Sequence, residues 1–236
     1  MYKVTPALGA ALYIPGLTYE ALVRARNGLY AAALLPRRRL PAPVISIGNI
    51  TMGGSGKTPL VIHIARMLSG FGLSPAILTR GYGRIRSGET HILAPQETVF
   101  SPAWTLGDEP ALMRRHLPFS WMGVSKHRFA AGTVLAGRDK RMVFLLDDGF
   151  QHRKLHRDLD IVVIDRCQPF ASNRIFPRGT LREPLSGISR CDVIVINGSK
   201  DPAERDSIDA EIENLETGAR TFHCRQSIGW LVPFPC

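Results

Sequence analysis

The run Thr-Met-Gly-Gly-Ser-Gly-Lys-Thr at residues 51–58 contains the residue types needed to bind the phosphate groups of a nucleotide. The backbone N–H groups of a glycine-rich turn can surround an anion, and the N-terminus of a following helix adds partial positive charge. Lys57 can reach the outer phosphates, and the Thr58 hydroxyl can ligate Mg²⁺. The run departs from the P-loop pattern G-x-x-x-x-G-K-[ST], because Thr51 stands in place of its first glycine. We predict that a nucleotide contacts Thr51, Met52, Gly53, Gly54, Ser55, Gly56, Lys57 and Thr58.

A pair of carboxylates follows an apolar segment further along the chain. Residues 142–146 are almost wholly apolar and lead directly into Asp147 and Asp148. A buried strand that delivers an acid to a nucleotide is the Walker B arrangement, in which the acid holds Mg²⁺ directly or through water. Adjacent side chains point in different directions, so the two acids need not share a role; an exposed acidic turn is the alternative. Gln151 and His152 follow closely enough to join the same site.

Asp108 precedes a helix-like segment and has two interpretations. Its carboxylate could cap the helix N-terminus, where negative charge is stabilised. It could also orient, or take a proton from, a hydroxyl group that attacks a phosphate. The spacing alone does not choose between cap and base.

Three arginines are candidate contacts for an anionic group. Arg80 opens the motif Arg80-Gly81-Tyr82-Gly83, Arg128 lies in a predicted helix, and Arg182 stands beside an acid. A guanidinium group can hold a phosphate through two parallel hydrogen bonds. For each arginine, a solvated position on the surface is the alternative.

Short apolar segments alternate with helix-like segments along the chain, which predicts an α/β domain with a mainly parallel sheet flanked by helices. The predicted strands are 44–47, 76–79, 142–146, 161–164 and 193–196, and the predicted helices are 58–70, 109–116, 126–136 and 202–215. Residues 84–104 are predicted to be an insertion or hairpin. Because ligands of such sheets gather at the carboxyl ends of the strands, we expect the polar motifs to meet there.

Composition indicates an anionic partner. The net charge of +10 and the pI near 10.0 favour nucleic acid, anionic lipid or phosphorylated substrates. The first 36 residues mix apolar side chains with arginines and end before Arg37-Arg38-Arg39, which predicts an amphipathic helix at a membrane surface or, alternatively, a helix packed on the domain. No apolar run reaches the length of a transmembrane helix, and the four scattered cysteines indicate neither a zinc site nor a disulfide framework.

Taken together and in this order, the motifs resemble those of the tetraacyldisaccharide 4′-kinase family of lipid A biosynthesis. The matching stretches are Gly48-Asn49, Gly53-Gly54-Ser55-Gly56-Lys57-Thr58-Pro59, Arg80-Gly81-Tyr82-Gly83, Gly107-Asp108-Glu109-Pro110, Asp147-Asp148-Gly149-Phe150-Gln151-His152, Leu181-Arg182-Glu183-Pro184 and Val195-Ile196-Asn197-Gly198. The Thr51 departure also matches this family's version of the loop.

The resemblance implies transfer of the ATP γ-phosphoryl group to the 4′-hydroxyl of a tetraacyldisaccharide 1-phosphate, at the cytoplasmic face of the bacterial inner membrane. It implies a P-loop NTPase-like core at 41–198, a membrane-associating helical segment at 1–40, and a remnant of a second, C-terminal domain at 199–236. Asp108 would then be the general base, with Lys57 and Asp148 also catalytic and Thr58, Glu109 and Asp147 holding Mg²⁺. The implied nucleotide contacts include Gln151, His152 and Asn197, and the implied substrate contacts are Arg80, Arg128 and Arg182.

The chain is shorter than members of this family. A late acidic–histidine motif, whose histidine supports the catalytic aspartate in the family, has no counterpart here, so we expect a truncated second domain, weak ATP–Mg²⁺ binding and poor turnover. Two other functions remain open: a P-loop NTPase of another class, and a nucleotide- or membrane-binding protein without catalysis. The segment Asn197-Gly198-Ser199-Lys200-Asp201 only weakly resembles a guanine-reading N-K-x-D motif. No nucleic-acid-binding motif is present, and we predict neither a nucleic-acid partner nor an obligate protein partner.

Overall fold

The computed structural model describes residues 12–84, 88–97, 103–170, 173–198 and 202–226. Within these residues, eight strands form a single sheet. The strands are β1 (Val44–Gly48), β2 (Ser74–Thr79), β3 (His91–Leu93), β4 (Trp121–Val124), β5 (Met142–Asp147), β6 (Leu159–Asp165), β7 (Val193–Asn197) and β8 (Arg220–Cys224). Their order across the sheet is β3-β4-β2-β5-β1-β6-β7-β8.

Neighbouring strands run parallel except for β3, which pairs antiparallel with β4. The predicted mainly parallel α/β sheet is therefore confirmed, and all five predicted strands are present with slightly longer bounds. The sequence did not predict β3, β4 or β8. β3 falls inside the predicted insertion, and β8 lies in the segment 199–236 but pairs with β7 in the same sheet.

Helices cover both faces of the sheet. Their bounds are α1 (Tyr13–Ala31), α2 (Lys57–Gly70), α3 (Ala103–Leu106), α4 (Asp108–His116), α5 (Arg128–Leu135) and α6 (Pro202–Glu213), with a 3₁₀ helix at Leu185–Arg190. The predicted helix at 126–136 begins two residues later than expected, at Arg128. In the described part of the chain, no helix combines the length and hydrophobicity that a membrane crossing requires.

The core lies on both sides of β5, whose six residues are all buried. Val143 and Leu145 face a cluster that includes residues of α2 and α4, whereas Phe144 and Leu146 face a second cluster that includes residues of α5. This double burial explains the continuous apolar run of the strand, since alternating side chains enter opposite layers. The strand consequently holds Asp147 and Asp148 firmly at its carboxyl end.

Helix α1 is apolar on two sides. Gly16, Val23 and Tyr30 are buried against the rest of the protein. Large apolar side chains on the other side are exposed to solvent: Ile14, Leu17, Leu22 and Leu29. The helix therefore packs on the domain and also presents an outward apolar row, while its contact with a membrane surface stays a prediction.

Candidate functional site

The glycine-rich loop connects the end of β1 to the start of α2. Gly56 is the N-cap of α2 and has a left-handed backbone with φ of 86°, while Gly53 has φ of 113°. A side chain at either position would strain the backbone, so glycine is needed at both. Thr51 instead forms an antiparallel bridge with Leu181, and its φ is not positive. The departure from the usual pattern thus falls where the chain is extended and where a β-branched residue is well suited.

A second segment, around Thr180 and Arg182, is hydrogen bonded to the backbone of this loop. The N–H of Met52 donates to the carbonyl of Thr180 at 2.6 Å, and the N–H of Arg182 donates to the carbonyl of Ile50 at 2.8 Å. Residues 180–182 therefore pair with the loop, with backbone hydrogen bonds at Thr180 and Arg182. Because each bond satisfies a peptide group away from regular secondary structure, the pairing fixes where the loop lies relative to Arg182.

Lys57, Asp148 and Arg182 form a charged cluster at the start of α2. The Arg182 Nη1 donates to both carboxylate oxygens of Asp148, at 2.7 and 2.8 Å, and the Lys57 Nζ lies 3.9 Å from Asp148 Oδ1. Burial lowers the pKa of Lys57, and the nearby Asp148 opposes that shift. Asp148 also has a left-handed backbone, with φ of 48°. The Asp148 carboxylate thus contacts two cationic side chains, those of Arg182 and Lys57.

Asp147 is buried beside this cluster, and its Oδ2 accepts a hydrogen bond of 2.8 Å from the Thr79 hydroxyl. Burial raises the pKa of Asp147 to about 6; the Thr79 hydrogen bond opposes the shift, and the neighbouring Glu109 and Asp148 add to it. Such a carboxylate gains from a cation placed next to it, since the cation offsets the cost of burying negative charge.

Asp108 and Glu109 stand at the start of α4, and both are exposed. The N-cap of α4 is Gly107, and Asp108 is the first helical residue, so the cap interpretation of Asp108 is wrong. The Asp108 carboxylate lies at the positive end of the helix dipole but does not cap the helix. Glu109 is close enough to act electrostatically on both Asp147 and Lys57, which brings the start of α4 to the phosphate loop.

Arg128 and Arg80 approach the same site from the ends of other elements. Arg128 is buried, its Nε has no hydrogen-bond partner among the described residues, and burial lowers its pKa, with Arg80 acting in the same direction and Asp148 opposing. Arg80 is exposed and donates to the Tyr82 hydroxyl at 2.7 Å. A buried guanidinium with an unused donor is suited to an anionic ligand.

His152 and Gln151 continue the chain after β5. Burial lowers the pKa of His152 to about 3, and the positive charges of Arg128, Arg157, Lys154 and Arg80 act in the same direction. The imidazole is therefore neutral at physiological pH. Gln151 is committed within the protein, because its Nε2 donates to the Asn49 carbonyl at 2.8 Å and to Glu183 at 2.9 Å.

Asn197 ends β7 and lies against the phosphate loop. Its Nδ2 donates to the carbonyl of Ser55 at 3.2 Å, and its side chain packs directly over Gly56. The structure therefore brings the predicted nucleotide contact Asn197 to the backbone of the loop. Contact of Asn197 with the nucleotide itself stays a prediction.

Sequence reasoning assigned no role to Glu183, which the structure buries completely. It accepts hydrogen bonds from Arg190, Gln151 and Asn27, at 2.7, 2.9 and 3.2 Å. The signal available in the sequence was a lone acid between Arg182 and Pro184, which alone does not distinguish a buried carboxylate from a surface one.

The residues predicted to hold Mg²⁺ offer carboxylate and hydroxyl oxygens, the donor type that this ion prefers. The described residues contain no cluster of three or more His, Cys, Asp or Glu side chains suited to holding a metal by themselves. Mg²⁺ characteristically uses one or two carboxylates and completes its coordination with water and phosphate oxygens. Asp147, with the Thr58 hydroxyl of the P-loop, fits that requirement.

The parallel sheet, the glycine-rich loop after β1 and the acidic end of β5 define a P-loop α/β protein of kinase-like fold. The family described as tetraacyldisaccharide-1-P 4′-kinase (LpxK) matches residues 8–228. The chain belongs to this family, and the resemblance based on its motifs is confirmed.

Curated relatives named tetraacyldisaccharide 4′-kinase are similar over most of the chain. The relative from Geobacter sulfurreducens is 41% identical over 199 residues, covering 83% of this chain and 56% of its own length. The relative from Chlorobium luteolum is 39% identical over 222 residues, covering 92% of this chain and 61% of its own length. The chain thus spans less than two thirds of the length of these relatives.

A solved structure has the same fold. LpxK from Aquifex aeolicus, described in complex with ATP, aligns with a TM-score of 0.73 and 29% sequence identity. The alignment covers 96% of this chain and 85% of that one.

Proposed function

We propose that the protein transfers the γ-phosphoryl group of ATP to the 4′-hydroxyl of a tetraacyldisaccharide 1-phosphate in lipid A biosynthesis. The observation that carries the proposal is the convergence of Lys57, Asp147 and Asp148 beside the glycine-rich loop. Family membership supplies the substrate class, and the similarity to LpxK in complex with ATP supports ATP as the donor.

In this mechanism, the loop N–H groups and Lys57 hold the β- and γ-phosphates of ATP. Bound Mg²⁺ would neutralise phosphate charge, held by the Thr58 hydroxyl and by Asp147 with Glu109. Asp148 keeps Arg182 and Lys57 at the same end of the site. Because phosphoryl transfer depends mainly on position and charge stabilisation, these groups supply most of the catalysis.

The acceptor hydroxyl is activated from the start of α4. Asp108 is exposed next to Glu109, in the first turn of the helix, where it does not serve as the cap. Its carboxylate takes the proton of the 4′-hydroxyl as that oxygen attacks the γ-phosphorus, while the bond from this phosphorus to the β–γ bridging oxygen breaks and ADP leaves. Arg80, Arg128 and Arg182 contact anionic groups of the substrates, with the unused donor of the buried Arg128 as the strongest support.

The acceptor is a membrane lipid, and we propose that the protein binds the cytoplasmic face of the bacterial inner membrane. The outward apolar row of α1 and the net charge of +10 support this assignment. The apolar side chains would enter the lipid surface, while basic side chains would contact anionic headgroups.

The direct test is transfer of labelled phosphate from ATP to tetraacyldisaccharide 1-phosphate in detergent micelles. We expect measurable 4′-phosphorylation, with the Geobacter sulfurreducens relative as a positive control for the lipid. Asp108→Asn should lower kcat by about 100-fold or more, the range for losing a general base, while ATP affinity changes little. Lys57→Ala should weaken both ATP binding and transfer.

Asp139→Asn is the matched control, because Asp139 is half-buried in the turn before β5 and its carboxylate accepts a hydrogen bond from the backbone N–H of Arg141. ATP binding with no transfer by the wild-type chain, or full transfer by Asp108→Asn, would contradict the proposal. The first result would instead indicate a nucleotide-binding protein without catalysis.

A further inference from the structure

Helix α1 contacts the site through a segment that also supports the phosphate loop. The Tyr19 hydroxyl donates to the Arg182 carbonyl at 3.1 Å, and the Asn27 Nδ2 donates to Glu183 Oε2 at 3.2 Å. Tyr19 and Asn27 are eight residues apart, so they lie on the same side of the helix. Both polar contacts therefore reach two adjacent residues of one segment.

The segment that contains Arg182 and Glu183 contacts the phosphate loop in two ways, through its backbone and through its side chains. Along the backbone, Arg182 and Thr180 are hydrogen bonded to Ile50 and Met52 of the loop. Along the side chains, Glu183 accepts from Gln151, whose Nε2 also donates to the Asn49 carbonyl at the start of the loop. The Arg182 guanidinium in turn holds Asp148.

Glu183 is the centre of this arrangement, because it is fully buried and its carboxylate is shared among partners from three parts of the chain. Arg190 and Gln151 donate to Oε1, and Asn27 donates to Oε2. A buried carboxylate that loses a donor must reorganise its remaining contacts, since its desolvation is no longer compensated. One of these remaining contacts is with Gln151, which also donates to the Asn49 carbonyl of the loop.

We propose that Tyr19 and Asn27 are positioning residues that tie helix α1 to the nucleotide phosphate site through Arg182 and Glu183. The effect on ATP rests on the proposed function, whereas the tie itself rests on the contacts. Displacement of α1 from the domain then loosens the phosphate loop. By thermodynamic reciprocity, a ligand that fixes the loop also fixes α1 on the domain.

The first test measures hydrogen–deuterium exchange in Asn27→Asp, which places a carboxylate of nearly the same shape against Glu183. The backbone amides of Met52 and Arg182 should exchange about tenfold faster than in the wild type, as expected when one buried hydrogen-bonded contact is lost. Amides in the β2–β4 pair, such as that of Met122, should be unaffected. Tyr19→Phe should act in the same direction with a smaller effect.

A double variant separates this contact from a general loss of stability. In Asn27→Asp with Glu183→Gln, donor and acceptor are exchanged, whereas Glu183→Gln alone also removes the ion pair with Arg190. The increase in the logarithm of the exchange rate in the double variant should therefore be smaller than the sum of the increases in the two single variants. Thr18→Val is the control on the same helix, because the exposed Thr18 donates its hydroxyl within α1, to the Ile14 carbonyl. Equal exchange in Asn27→Asp and wild type, or fully additive effects in the double variant, would overturn the tie.

The second test is titration with a fluorescent ATP analogue and Mg²⁺. Asn27→Asp should weaken binding by about tenfold, with a less than additive effect in the double variant and no change in Thr18→Val. Unchanged affinity in Asn27→Asp, when the wild type binds, would overturn the effect on the nucleotide. Absence of binding by the wild type would instead contradict the proposed function, and the exchange measurement would still decide the tie.

Discussion

At the scale of single residues, His152 combines burial with a cationic environment. Arg128, Arg157, Lys154 and Arg80 all act on the ring, and burial is the largest cause of its low pKa. The folded protein thus keeps this imidazole neutral under conditions where the unfolded chain protonates it. Neutral histidine preserves hydrogen-bonding ability next to the site without adding a further positive charge.

This pKa predicts acid sensitivity. With a pKa of about 3 when folded and 6.5 as its ordinary value, His152 takes up a proton only in the unfolded chain between these limits. Stability therefore rises with pH across this window and falls as the pH is lowered from 6.5. His152→Gln should remove roughly 2 kcal/mol of the stability lost between pH 7 and pH 4.5.

Urea denaturation at the two pH values measures the difference for wild type and variant. His63→Gln, at an exposed position in α2, is the control for replacing a histidine by glutamine. The assignment fails if His152→Gln loses as much stability on acidification as the wild type does.

Sequence reasoning identified the loop and the acids because each is a local pattern. The pairing of Asp148 with Arg182 could not be predicted in the same way, because the two residues come from different elements that meet only in the folded sheet. The same limit applies to Glu183, whose partners lie in α1, in the turn after β5 and in the 3₁₀ helix. Residue types were visible in the sequence, whereas the partners depended on topology.

At the scale of elements, the start of α4 depends on Gly107. Its φ is 94°, and an added Cβ would lie 2.3 Å from the Tyr82 carbonyl oxygen. Gly107→Ala should therefore strain the backbone and push α4 from the loop after β2, costing about 2–4 kcal/mol of stability. Turnover should fall as well, because Asp108 moves with the helix.

Gly137→Ala provides the matched comparison. Gly137 has a similar φ of 85°, but an added Cβ there has nothing within 4 Å. Its cost should be limited to backbone strain, about 1 kcal/mol, with no loss of turnover. Equal destabilisation of the two variants in urea denaturation would show that the contact with Tyr82 is unimportant.

The elements differed in how visible they were in the sequence. β5 was predicted because its continuous apolar run is typical of a strand buried on both faces. β4 has four residues including Gly123, and β8 has three exposed residues followed by two half-buried ones, so neither has a strong strand pattern. Both are recognisable only through their pairing with β2 and β7.

At the scale of the whole molecule, the net charge of +10 and the outward apolar row of α1 both predict binding to an anionic lipid surface. Ile14 and Leu22 are 73% and 65% exposed on a helix whose other side is already packed. Replacing both by Glu should reduce binding to vesicles containing anionic lipid by at least about tenfold, because each change removes an apolar side chain from the lipid. Sedimentation with the vesicles measures the bound fraction.

The control is the double variant Phe71→Glu with Val134→Glu, which changes the net charge equally at exposed positions outside α1. It should lose binding only to the extent that raised salt also removes binding from the wild type. If both double variants lose the same amount, net charge rather than the α1 surface governs binding.

The order of the strands also determines how the protein reaches its fold. β1 lies between β5 and β6, so Val44 pairs with Phe144, and Ile45 pairs with both Leu145 and Leu159. These are the most distant pairings in the sheet, whereas β7 joins β8 within about thirty residues. During synthesis at about 5–20 residues per second, β1 waits on the order of 5–20 s before its first strand partner exists. The strand that leads into the phosphate loop is thus synthesised well before β5 and β6, the two strands that flank it in the sheet. A chaperone that shields short apolar segments would therefore act most usefully on β1.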